Sequence, residues 1–206
     1  MVLGFLALST LTTKAQEWST GVDLYSSYVW RGTKFGSGPA MQPSVEFSAG
    51  GFAIGAWGSY CFSTDEAMEA DLYASYGFDL GENSSLSFTL TDYYFPGEGS
   101  DWMDGDFHFF EPMVSLGLGK FSLLGAYMTK AEDVYFEAGL EVGSVSLFAG
   151  AGDGAYTKDE KFNVCNLGIS TSKEIKITDS FSIPVTGSVI LNPSTEQFHI
   201  VVGISL

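Results

Sequence analysis

Positive charge is scarce in this chain of 206 residues: 9 lysines and arginines stand against 25 acidic residues. Arg31 is the only arginine. A formal net charge of −16 argues against nucleic acid as a partner, because phosphate binding needs concentrated positive charge. Cysteine is limited to Cys61 and Cys165 and histidine to His108 and His199, so neither a disulfide framework nor a metal-ligand cluster is expected, and no cofactor is implied. The two cysteines fall on strands read as distant in the sheet, which makes them two isolated thiols. Long apolar runs are missing too. After residue 16 no stretch is long enough for a transmembrane helix.

Aromatic residues and glycine are plentiful, with 17 Phe, 10 Tyr, 4 Trp and 25 Gly. This composition argues for an all-β chain. Val2 to Leu11 is short and mostly apolar, and Thr13-Lys14-Ala15 precedes Gln16. That order matches the apolar core and small-residue cleavage site of a secretory signal peptide, with cleavage expected after Ala15, although a basic leading segment is missing. The run is too short to act as a membrane span, and no cysteine follows the cleavage site to carry a lipid. The division is therefore a signal peptide at 1–15 and one β-domain at 16–206, and loss of Lys14 takes the mature charge near −17.

Alternation with period two recurs along the domain and predicts strands with two unlike faces. The first runs from about Ser19 to Trp30, with Val22, Leu24, Tyr28 and Trp30 on one face and Asp23, Tyr25, Ser27 and Arg31 on the other. Later strands set Phe47 against Glu46, Leu72 against Glu69 and Asp71, Phe110 against Glu111, and Leu140 against Glu137 and Glu141. The count is twelve, with ten or fourteen open according to how Lys173–Thr178 divides. Tight turns such as Gly50-Gly51 and Gly143-Ser144 alternate with longer polar links such as Arg31–Pro39 and Tyr94–Asp106. Short turns at one end and long loops at the other are the asymmetry of bacterial outer-membrane barrels. The link Lys173–Ser180 falls on the short-turn side and is the exception. In the last strand Phe198, Ile200, Val202, Ile204 and Leu206 alternate with His199, Val201, Gly203 and Ser205. It resembles the C-terminal signal by which the barrel assembly machinery inserts such proteins.

A soluble sandwich alternates as well. Two features favour a closed antiparallel transmembrane barrel: a polar, often charged minor face that suits a wet lumen, and aromatics gathered near strand ends. The expected girdle is Tyr28, Trp30, Tyr60, Phe62, Tyr76, Phe78, Tyr93, Tyr94 and Phe95. In hydrocarbon only closure leaves no unpaired strand edge. The expected setting is the outer membrane, in contact with its lipid and lipopolysaccharide.

Leu24-Tyr25-Ser26-Ser27-Tyr28-Val29-Trp30-Arg31-Gly32, then Pro39-Ala40-Met41-Gln42-Pro43 and Gly55-Ala56-Trp57-Gly58-Ser59, resembles the N-terminal hallmark of the TorF porin family. The likeness covers roughly residues 22–60. It implies an outer-membrane barrel with a porin role and supplies no catalytic residues.

The lumen candidates are Asp23, Arg31, Glu46, Glu69, Asp71, Glu111, Glu137 and Glu141. For Arg31 the choice lies between a charge constriction and an internal salt bridge with a carboxylate such as Glu46; the bridge is favoured, since buried charges are generally paired. Asp101, Asp104 and Asp106, with Glu98, form an acidic, glycine-bent loop whose spacing does not fit a calcium-binding hand, so a solvated loop is expected rather than a metal site. Catalysis is not expected, because His199 and Ser205 stand about 20 Å apart along one strand. The leading expectation is a narrow channel for small solutes with a preference for cations. A plugged structural or interaction barrel binding a partner protein or lipopolysaccharide is the rival reading, and a lipid-modifying enzyme the third.

Overall fold

The computed structural model describes residues 16–63, 68–97 and 99–206. The expected signal segment at 1–15, and Asp65, Glu66 and Glu98 of the acidic loops, lie outside the described residues. Twelve strands form one closed antiparallel barrel: β1 Glu17–Tyr25, β4 Ala40–Ala49, β5 Phe52–Cys61, β6 Met68–Gly81, β7 Ser84–Tyr94, β8 His108–Leu118, β9 Phe121–Met128, β10 Asp133–Val142, β11 Val145–Gly154, β12 Glu160–Lys176, β13 Ser182–Asn192 and β14 Gln197–Ser205. Two short strands, β2 Tyr28–Trp30 and β3 Thr33–Phe35, pair only with each other.

Each barrel strand pairs with its neighbours in sequence, and β14 returns to β1 with Leu24 opposite Ile204. Backbone bonds of 3.0 and 2.9 Å between Val22 and Leu206 complete the seam. The expected number of strands is thus observed, and the exceptional link is resolved. Strand β12 continues to Lys176 and pairs as far as Ser182, so the connection shrinks to Ile177–Phe181 and joins the short turns.

The outward register is apolar and exposed around the whole ring, as Ile54, Leu72, Phe88, Leu123, Ile169 and Ile200 illustrate. Exposed aromatics cluster near both ends of the strands. Trp18, Phe52, Phe78 and Phe121 stand toward the short turns, and Tyr60, Tyr127, Phe162 and Phe198 toward the long loops. Among the described residues no helix is long and apolar enough to cross a membrane.

The first strand is shorter than its alternation suggests. It ends at Tyr25, and the chain then turns into the barrel as the β2–β3 hairpin. Tyr28 and Trp30 therefore do not join an outer girdle; Tyr28 and Val29 are buried inside, and Tyr93 also faces inward to hydrogen-bond Glu111. The hairpin reverses at Arg31-Gly32, whose φ angles of 49° and 80° are both positive. Two positive values are what a two-residue turn between right-twisted strands requires. A Cβ on Gly32 would lie 2.0 Å from the Cys165 carbonyl oxygen, so the tip admits no side chain. Gly32→Ala is expected to destabilise the barrel by roughly 1–3 kcal/mol through backbone strain, with further loss from the clash, as read by urea denaturation in micelles.

Candidate functional site: a crossbar in the lumen

The hairpin spans the lumen. At its root the Ser26 amide donates to the Val202 carbonyl of β14 at 2.8 Å, and at its tip Arg31 binds Glu111 of β8. Strands β14 and β8 are six steps apart around a ring of twelve, the largest separation available; the hairpin backbone rests on the β12–β14 wall, with Gly32 at its tip against Cys165 and Asn192, and its side chains complete the crossbar to the opposite wall. Its two faces are both packed. Val29 joins Ile190 and Val201, with Tyr25 and Phe148 against them. On the other face Tyr28 meets Trp57 and Trp30 meets Tyr93, with ring centroids 5.7 and 5.6 Å apart.

The tip carries a buried ion pair. Arg31 is 3% exposed and Glu111 is 1% exposed. The guanidinium donates to both Glu111 oxygens, at 2.6 and 2.9 Å, and to the Tyr156 hydroxyl oxygen at 2.7 Å. The Tyr93 hydroxyl donates to Glu111 at 3.1 Å. The rings of Trp30 and Tyr135 flank the guanidinium carbon at 4.4 and 4.3 Å. Planarity, permanent charge and weak hydration suit arginine to this bidentate, stacked arrangement. Tyr156 belongs to the β11–β12 loop, where burial pushes its phenol up to about 12 while the Arg31 charge works to lower it.

All eight lumen candidates face inward, and the structure sorts them. Arg31, Glu69, Asp71 and Glu111 are buried around the crossbar, whereas Asp23, Glu46, Glu137 and Glu141 are half-buried on the wall. The expected internal bridge at Arg31 is present, but Glu111 and not Glu46 completes it, because the inward turn of the chain carries Arg31 across to β8. Glu46 instead accepts from the Tyr73 hydroxyl at 2.8 Å, and Glu141 from Ser146 at 2.6 Å. Glu137 accepts from Tyr135 and from the Asn166 amide, the latter at 2.9 Å. Glu69 accepts from the Tyr28 hydroxyl of the hairpin at 2.8 Å.

The acidic loop does not assemble. Asp101 caps the Met103 amide and Asp104 the Asp106 amide, while Asp106 points to solvent beside Lys130. Among the described residues no group of three or more metal-ligating side chains gathers. Cys61 and Cys165 are buried on β5 and β12 and are not bonded to each other. His108 sits on the outer register at the loop rim, its Nδ1 2.9 Å from Asp92 and its Nε2 2.8 Å from the Trp102 carbonyl.

Sequence reasoning passed over Trp30, Tyr135 and Tyr156 as parts of one site. The available signal was Tyr28-Val29-Trp30-Arg31-Gly32-Thr33-Lys34-Phe35, a residue-glycine pair between two alternating arms, which is a hairpin pattern.

A closed twelve-stranded β-barrel with an internal crossbar is therefore the class that fold and site define. The chain belongs to the bacterial family Gcw_chp, described as a bacterial protein of unknown function, whose model matches residues 11–171 of the 206. No curated protein matches the sequence.

Glu111→Gln strands a buried guanidinium without its counter-charge, a loss worth about 3–5 kcal/mol where one partner of a buried pair is removed. Because Arg31 is the only arginine, an arginine-specific protease reports release of the tip directly. The wild-type barrel is expected to resist cleavage and Glu111→Gln to be cut at Arg31. Equal resistance of both would show that the pair does not hold the tip.

Proposed function

We propose that this chain is an outer-membrane β-barrel forming a narrow, cation-preferring passage for small solutes, closed at rest by the β2–β3 crossbar. The observation that carries the reading is the pairing of an exposed apolar outer face around the entire ring with a polar, acid-lined interior bridged by one hairpin. Exposed apolar surface on this scale needs a nonaqueous neighbour, and a closed barrel satisfies its backbone there. Two aromatic belts fit the two headgroup levels, and the exposed Phe198, Ile200 and Val202 of β14 fit the pattern that barrel assembly machinery reads. The Tyr-Val-Trp-Arg-Gly segment that resembles the TorF porins is the very segment that builds the crossbar.

Passage is narrow for two reasons. Twelve strands lie between about eight, which enclose only side chains, and about sixteen, which leave a clear channel. The crossbar divides what room remains. The carboxylates Glu46, Glu137 and Glu141 on the wall favour cations over anions. Full burial of Arg31 favours a second reading, a permanently plugged barrel that serves as a structural or interaction protein.

Single-channel recording separates the two. In planar bilayers under a salt gradient the wild-type protein is expected to show rare, small, cation-selective openings, and Arg31→Ala frequent ones. Silence of both proteins would favour the plugged barrel, and wide, steady wild-type steps would show that the crossbar does not close the lumen. The membrane setting has its own test. Ile200→Lys places a charge on the outer face and should cost about 2–4 kcal/mol in urea titrations of vesicle-folded protein, an effect that a soluble barrel would not show.

A further inference from the structure

A second polar cluster lies under the root side of the crossbar. Glu69 and Asp71 occupy successive inward positions of β6 and are 7% and 6% exposed. Two residues apart on one face of a strand, their carboxyl groups are close neighbours. Asp71 Oδ1 is buried and meets no hydrogen-bond partner. Two carboxylates this close and this dry do not both stay ionised without a positive charge between them. Arg31 is committed to Glu111, and among the described residues the lysine ion pairs involve Lys130, Lys161 and Lys176, each with an aspartate elsewhere.

We propose that Glu69 and Asp71 form a binding site for a hard divalent cation of the calcium class, built into the barrel wall against the crossbar. Neutral oxygen stands beside them: Ser59 is the direct cross-strand partner of Glu69, its hydroxyl oxygen accepts from Gln42 Nε2 at 3.4 Å, and both side chains are buried. The Tyr28 hydroxyl closes the cluster from the hairpin through its bond to Glu69. Two carboxylates with neutral oxygens suit calcium, whereas zinc and copper favour nitrogen and sulfur. The unpartnered Asp71 oxygen marks where the ligand sphere is incomplete without a cation. Occupancy would fasten Tyr28 to β6 through Glu69, giving the crossbar an anchor far from Arg31. This site goes beyond solute passage and holds whether or not the barrel conducts.

Terbium is a suitable probe, because Trp57 is the cross-strand partner of Asp71 and can sensitise its emission. Purified wild-type protein in micelles, excited through its aromatics, is expected to light bound Tb³⁺ and to lose the signal as Ca²⁺ is added. Asp71→Asn should weaken Ca²⁺ binding roughly tenfold or more, since affinity follows the charge count of the ligands. Trp57→Phe, which leaves every carboxylate in place, should dim the terbium emission without altering the calcium midpoint. Undiminished emission from Trp57→Phe would overturn the assignment even if Asp71→Asn failed to fold. So would calcium binding by Asp71→Asn at wild-type strength. A wild-type protein indifferent to calcium, with Asp71→Asn melting higher, would mean that the pair shares a proton and the site is refuted.

Discussion

Pairing of β1 with β14 is the constraint on which everything else in the molecule rests. A sheet of twelve strands that stayed open would present two rows of unpaired amides and carbonyls, one along each edge. Closing Leu24 against Ile204 and Val22 against Leu206 removes both rows at once. Once the ring is shut, the sheet has an inside and an outside, and the period of two along each strand becomes a sorting rule. Every second residue meets the lumen and every other one the surroundings. The acidity of the inner face and the oiliness of the outer one follow from that single geometric fact.

Closure also creates a problem of volume. A ring of twelve encloses more space than its own inward side chains fill, and this chain fills it with a piece of itself. The hairpin brings Val29 to an apolar patch on one wall and Tyr28 and Trp30 to aromatic neighbours on the other. Arg31 is the costly element, because stripping water from a guanidinium is unfavourable by several kcal/mol. Glu111, Tyr156 and two aromatic faces offset that cost, and they come from β8, β10, the β11–β12 loop and the hairpin itself. Replacing a buried ion pair by apolar groups of similar volume is often neutral or stabilising, so the pair counts less as a source of stability than as a match the hairpin makes in this orientation.

The strands were legible because alternation is a local property. Leu72 opposite Asp71, or Ile200 opposite His199, carries its own evidence within a few residues. The number of strands, the short-turn side and the inward direction of all eight charged candidates could be read in the same way. The crossbar was masked, despite its residue-glycine turn, because the chain leaves the wall at Ser26-Ser27 without breaking phase: Val22 and Leu24 continue evenly into Tyr28 and Trp30. A reader counting alternate residues sees one long strand where there are two elements. The partner of Arg31 was out of reach for a different reason. Glu46 and Glu111 are both inward carboxylates, and choosing between them needs the position of the hairpin tip in three dimensions. The extension of β12 to Lys176 was hidden because Ser172, Glu174 and Lys176 are polar on the very face where Ser170 already was, so nothing marks an end.

The root of the crossbar rests on Val202 of β14, while the crossbar itself directly follows β1. During synthesis the hairpin therefore emerges long before its seat exists. One strand, β14, thus holds both the seam of the ring and the seat of the strut inside it.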